Sequence, residues 1–142
     1  GLLKARWEGR FEQVSSNPAV ILDGAHNLSG MKVLLQTIEE RYKGRRIHFV
    51  FAALKDKDYQ RMIKVIEQRA DSITFTQTRM ERMNEAEELF KTSILKEKYI
   101  EENWQDAIRK ACKRMRKEDV LVITGSLYFL AEARPFLIRD QK

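Results

Sequence analysis

Four short apolar runs, each separated from the next by helical patterns, constrain this chain more than any other feature. They are Ala19-Val-Ile-Leu-Asp23, Ile47-His-Phe-Val-Phe-Ala52, Ser72-Ile-Thr-Phe-Thr-Gln77 and Val120-Leu-Val-Ile-Thr124. Continuous Val/Ile/Leu runs of this kind predict strands covered on both faces, as in a parallel sheet. Between them, Met31, Leu34, Leu35, Ile38 and Tyr42 share one helical stripe. Tyr59, Met62, Ile63 and Ile66 form a second, and Trp104, Ala107, Ile108, Ala111, Cys112 and Met115 a third. Ala86, Leu89 and Phe90 predict a shorter helix, and 127–137 a final one that bends or ends near Pro135. Strands alternating with helices call for right-handed crossovers. The expected fold is therefore α/β: a Rossmann-like, mostly parallel sheet flanked by helices. Segment 7–14 alternates weakly and predicts an additional N-terminal edge strand, antiparallel, turning at Asn17-Pro18 into the first buried run. Segment 91–103 carries no clear pattern.

The 142 residues suit one domain, 1–142, with a substantial core. A composition 43% hydrophobic and 34% charged excludes disordered and collagen-like classes. No apolar run approaches the roughly 20 residues of a membrane span. Lys4, Arg6, Glu8 and Arg10 interrupt the stretch where a secretory signal would need apolar residues. The one cysteine, Cys112, cannot form a disulfide within the chain, which fits a reducing, cytoplasmic setting. The net charge of +6 admits an anionic partner. Its basic clusters, 41–46 and 109–117, lack the interleaved aromatics that stack bases, so neither nucleic acid nor membrane is an expected partner.

In open α/β sheets, ligands bind beyond the carboxyl ends of the strands. That rule selects 23–30, 53–58, 78–79 and 125–128. The first is densest: Asp23-Gly-Ala-His-Asn-Leu-Ser-Gly30 offers an acid, an imidazole and an amide just before a helix. Asn27 or Ser29 can cap that helix, whose free N–H groups favour an anion. A plain capping turn, with Asp23 bonded to local amides, is an equal reading of the same residues. Gly24–Lys32 is not a phosphate loop, because five residues rather than four separate its glycines and Gly30-Met-Lys32 ends it. Nothing has zinc-ligand spacing. His48, inside a strand, reads as a packed histidine, and Cys112, on an apolar stripe, as structural.

Trp7-Glu-Gly-Arg-Phe-Glu12, Ile21-Leu-Asp-Gly-Ala-His-Asn27, Ala53-Leu-Lys-Asp-Lys-Asp58 and Gly125-Ser-Leu-Tyr128 occur in this order. Together they resemble the C-terminal domain of the folylpolyglutamate synthase/dihydrofolate synthase family, in the Mur ligase superfamily. Asp-Gly-Ala-His-Asn is specific to that family, and the other three strings are weaker singly. Glu8 and Leu28 stand where the family usually has Pro, and Ala52 or Ala53 where it has Gly. The resemblance implies an ATP-dependent ligase that adds L-glutamate to the γ-carboxylate of a folate, or to dihydropteroate, through an acyl phosphate. It implies that the P-loop and the Mg2+ ligands lie in a preceding ATP-binding domain outside this chain, and that the chain alone is inactive. Arg10 is then expected near the ATP phosphates. Asp23 and His26 are expected at the nucleotide and reaction centre, with Asn27 supporting their loop. Lys55 and Ser126 take the incoming glutamate or the anionic intermediate, and Lys55 joins His26 and Asp23 as a catalytic group. No metal ligand is expected here. The competing expectation is a non-catalytic Rossmann-like module that binds a nucleotide or another anion.

Overall fold

The apolar runs become the middle of a six-stranded sheet in a computed structural model, which describes residues 9–140. The chain runs β1 (Glu12–Ser16), β2 (Ala19–Asp23), α1 (Leu28–Arg41), β3 (Ile47–Phe51), α2 (Tyr59–Glu67), β4 (Ser72–Gln77), α3 (Ala86–Thr92), β5 (Lys98–Asn103), α4 (Trp104–Arg114), β6 (Val120–Thr124) and α5 (Leu127–Asp140). The spatial order is β1-β2-β6-β3-β4-β5. Only β1 is antiparallel to its neighbour.

Alternate residues of β2, β3 and β6 enter opposite cores, and β4 adds Ile73 and Phe75 to the first. Ile21, Phe49, Phe51, Ile73, Phe75 and Val122 meet Met31, Leu34 and Ile38 of α1 and Met62, Ile63 and Ile66 of α2. Val20, Leu22, Val50, Leu121 and Ile123 meet Trp104 and Ile108 of α4 and Phe129, Leu130 and Ala133 of α5. Trp104 sets its ring edge-on against Phe129 and Phe136. A large apolar side chain removed from water in this way contributes roughly 1.5–3 kcal/mol. This two-sided burial is why β2 and β6 are continuously apolar, whereas β4 alternates Ile73 and Phe75 with buried Thr74 and Thr76.

At the amino ends of the strands, buried His48 bridges two others. Its Nδ1 lies 2.7 Å from Ser72 Oγ and its Nε2 2.9 Å from Asp119 Oδ2. A carboxylate only accepts, so Nε2 carries a proton. The group pins β3, β4 and the entry to β6 together, at the end of the sheet opposite the loops selected above.

Three expectations are corrected. The unassigned 91–103 segment contains an entire strand, β5, which pairs in parallel with β4. It is an edge strand with the sequence Lys-Tyr-Ile-Glu-Glu-Asn, and charge on an exposed edge hides it from an apolar-run criterion. Of the two outcomes expected at Pro135, a bend or an end, the end is excluded, because helix α5 continues to Asp140. The carbonyl that the missing Pro135 N–H would have bonded is that of Ala131, and both residues are exposed, so water can serve it. The edge strand is antiparallel as expected but occupies 12–16 rather than 7–14. Trp7 and Glu8, part of that expectation and of the first motif, lie outside the described residues.

Candidate active-site edge

Strand β6 is inserted between β2 and β3, with Asp23, Thr124 and Phe51 level across the three strands. The chain leaves β2 and β3 for helices on one face and leaves β6 for α5 on the other. Their carboxyl ends therefore diverge, opening a crevice at the switch point. Close approach there depends on Gly125, whose φ is +117° and which lies against the Ala52 carbonyl.

The Asp23–Asn27 loop is clasped to the segment before β1. Gly24 N–H donates to the Gly9 carbonyl at 2.7 Å, and Phe11 N–H donates to Asp23 Oδ2 at 2.9 Å. Asp23 Oδ1 accepts from Ala25 N–H at 2.9 Å. Both carboxylate oxygens thus hold backbone, which gives Asp23 the local role that a capping turn requires. Burial raises the Asp23 carboxyl above its ordinary 3.8, opposed by the Phe11 and Ala25 amides and by nearby Arg10. Arg10 is exposed and makes no hydrogen bond among the described residues. Asn27 caps α1, its Oδ1 accepting from Gly30 N–H at 2.8 Å. His26 Nδ1 lies 3.0 Å from the Gly24 carbonyl, so Nδ1 donates and Nε2 is left for a ligand.

Two cavities meet at His26 and Leu127. The first, about 560 Å3, lies between the Arg10 segment and α1, and takes in Arg10, Asp23, Asn27, Ser29 and Arg41. The second, about 540 Å3, is lined by Leu54, Lys57, Arg82, Ser126, Tyr128 and Ala131. Ser126 is buried and caps α5, its Oγ accepting from Tyr128 N–H at 3.1 Å. Two loops form the cavity wall together: Lys55 N–H donates to the Arg82 carbonyl, and Asn84 N–H and Nδ2 donate to the Ala53 and Leu54 carbonyls.

Arg10, Asp23, His26 and Asn27 are therefore brought together at the first cavity, and Ser126 lies at the second. Lys55 is exposed and lines neither. Two cations that sequence reasoning missed, Lys57 and Arg82, line the second cavity. Lys57 lies within Ala53-Leu-Lys-Asp-Lys-Asp58, two residues from Lys55. Arg82 had no signal beyond its place after β4, in a loop longer than the 78–79 selected. Its guanidinium lies over the Tyr128 ring and 3.8 Å from Asp56. Among the described residues, no group of three or more His, Cys, Asp or Glu could hold a metal ion. Among the described residues, no helix is long and apolar enough to cross a membrane.

Residues 9–127 match the family described as Mur ligase, glutamate ligase domain. A dihydrofolate synthase/folylpolyglutamate synthase of Bacillus subtilis (strain 168) is 41% identical over 134 residues, 94% of this chain and 31% of that protein. The E. coli FolC structure in complex with DHPP and ADP superposes with a TM-score of 0.87 at 25% identity, covering 97% of this chain and 33% of that one. A bifunctional folylpolyglutamate synthase/dihydrofolate synthase from Yersinia pestis c092, complexed with AMPPNP and Mn ion, gives 0.86 at 25% identity, covering 94% and 32%. The chain thus spans about a third of the length of these relatives. With its α/β sheet, its clasped Asp23–Asn27 loop and a match over 9–127, it belongs to the Mur ligase, glutamate ligase domain family.

Proposed function

We propose that this chain is the glutamate-ligase domain of an ATP-dependent folylpolyglutamate synthase, completed by a P-loop domain elsewhere in a longer polypeptide. The observation that carries this reading is the adjacency of two cavities, one beside Arg10 and one beside Lys57 and Arg82, with His26 between them. In the reaction, a carboxylate oxygen of the folate, or of dihydropteroate, takes the γ-phosphoryl group of ATP and releases ADP. The amine of L-glutamate then attacks the acyl carbon, the C–O bond to phosphate breaks, and the amine loses a proton as the amide forms.

This chain's residues suit the charges that move. Arg10 would neutralise negative charge growing on the transferring phosphoryl group. His26 Nε2, at the junction of the cavities, would contact the acyl phosphate or the arriving amine. Glutamate brings two carboxylates, and Lys57 and Arg82 can each take one, with Ser126 nearby and Lys55 at the rim as the resemblance has it. Asp23 and Asn27 would hold the loop that presents His26. Mg2+, when bound in the adjoining domain, would balance charge on the ATP phosphates. One cysteine and a phosphorylated metabolite as intermediate both suit the cytoplasm.

The test is kinetic. In the full-length polypeptide, His26→Ala should lower turnover about a hundredfold, on the scale of one lost polar contact to the transition state, with an unchanged circular dichroism spectrum. The 142-residue chain alone should neither hydrolyse ATP nor ligate glutamate. Wild-type turnover in His26→Ala would remove it from the reaction centre.

A further inference from the structure

Phe11 occupies a conformation that its side chain disfavours. Its φ is +35°, in the left-handed region that bulky residues rarely enter. Strain of this kind persists only where surrounding contacts over-determine it, and three do so here. Its N–H is held by Asp23 Oδ2. Its ring lies nearly parallel to that of Tyr42, with centroids 6.3 Å apart. The Arg41 guanidinium lies 4.8 Å from the ring centroid, within cation–π range. Tyr42 is fixed in turn, its hydroxyl donating to Gln13 Oε1 at 3.3 Å.

The consequence falls on the preceding residue. Gly9 is tied by its carbonyl and Phe11 by its amide, so Arg10 sits at a corner pinned on both sides. Directly afterwards the chain enters β1, where Glu12 makes two hydrogen bonds with Arg134. Among the described residues the Arg10 side chain makes no hydrogen bond and feels only the nearby Asp23 charge, so the direction it takes into the first cavity is set chiefly by the backbone on either side. We propose that Phe11, seated on Tyr42 and Arg41 at the end of α1, is the positioning residue that aims Arg10, and that it acts on ATP utilisation only through Arg10. This rests on the reading of Arg10 given above.

Two measurements test it. Amide hydrogen exchange on the 142-residue chain should show faster exchange at 9–12 in Phe11→Ala, with β2, β3 and β6 unchanged. Unchanged exchange at 9–12 would overturn the proposal whatever the enzyme does. In the full-length polypeptide, Phe11→Ala should lower kcat/KM for ATP about tenfold while KM for glutamate stays within twofold, and Phe11→Tyr should restore most of the loss. In the Arg10→Ala background, Phe11→Ala should cost less than a further twofold. A full tenfold loss in that background would refute the coupling while leaving the role of Arg10 intact. Wild-type kinetics in Arg10→Ala itself would refute the role of Arg10, and with it the purpose assigned to Phe11.

Discussion

Gly125→Ala is the sharpest single perturbation of this sheet edge. Gly125 follows β6 with φ of +117°, and a Cβ placed there would sit far inside van der Waals contact distance of the Ala52 carbonyl oxygen. That oxygen belongs to backbone fixed by neighbouring hydrogen bonds, including Ala52 N–H to the Thr124 carbonyl, so it cannot move aside cheaply. Two costs add. The left-handed backbone costs an alanine about 1–3 kcal/mol. Forcing a methyl into packed space costs about another 1–3 kcal/mol. Taking about 4 kcal/mol as the centre, and about 2–4 °C per kcal/mol for a domain of this size, Tm should fall by roughly 8–16 °C. Urea denaturation should show a lower midpoint with an unchanged m-value. Gly24→Ala is the contrast. Its added Cβ meets chiefly the Leu127 side chain, 45% exposed and able to turn away, so the loss of stability should be much smaller. A Tm for Gly125→Ala within about 2 °C of the parent would show that β6 and β3 do not approach as described.

Other outcomes follow from the same contacts. Burial alone would raise the Asp119 carboxyl, but the Arg116 amide, the His48 imidazole and the Arg46 guanidinium together hold it below its ordinary 3.8. A depressed carboxylate contributes stability that is present above pH 3.8 and lost as pH falls through the lower folded value. In that acidic window Asp119→Asn should therefore lose less Tm than the parent, and parallel Tm curves from pH 5 to pH 2 would count against the pairing. Ser126→Ala removes the cap of α5 and should cost about 1 kcal/mol by urea denaturation, whereas Ser126→Thr should recover most of it. Arg82→Ala in the full-length polypeptide should raise KM for glutamate more than tenfold, because one charge-assisted hydrogen bond is worth about 1.5–3 kcal/mol. Lys57→Ala and Lys55→Ala compared side by side should show the larger KM rise at Lys57, and the reverse order would move the glutamate site to the rim.

The centre of the fold was legible because burial on both faces leaves an unmistakable trace: β2, β3, β4 and β6 are the four apolar runs, residue for residue but for Ala52. The trace disappears at the edges. Strand β5 carries Lys98, Glu101 and Glu102 at the sheet edge, and these charges mask a strand that its pairing with β4 reveals. Whether Pro135 ends or merely bends the last helix is hidden for a related reason, since its cost depends on whether water reaches the freed carbonyl, and burial is not written in local sequence. At the site, the Asp23–Asn27 string located the loop, but its neighbours in space were less accessible. Phe11 meeting Tyr42, and Arg82 meeting Tyr128, are contacts across 31 and 46 positions that no local pattern encodes. Lys57 was near enough in sequence to be seen, but the direction of each lysine depends on how the 78–85 loop holds 52–57.

The proposed role of this domain, helping to join glutamate to a carboxylate activated by ATP, is tested most directly by the fate of one oxygen atom. The full-length polypeptide would be supplied with ATP, L-glutamate and a folate whose γ-carboxylate carries oxygen-18, and the released phosphate examined by mass spectrometry. One labelled oxygen should appear in phosphate for each amide formed, with ADP as the other product. Label retained entirely in the folate product, or AMP and pyrophosphate released in place of ADP and phosphate, would contradict it.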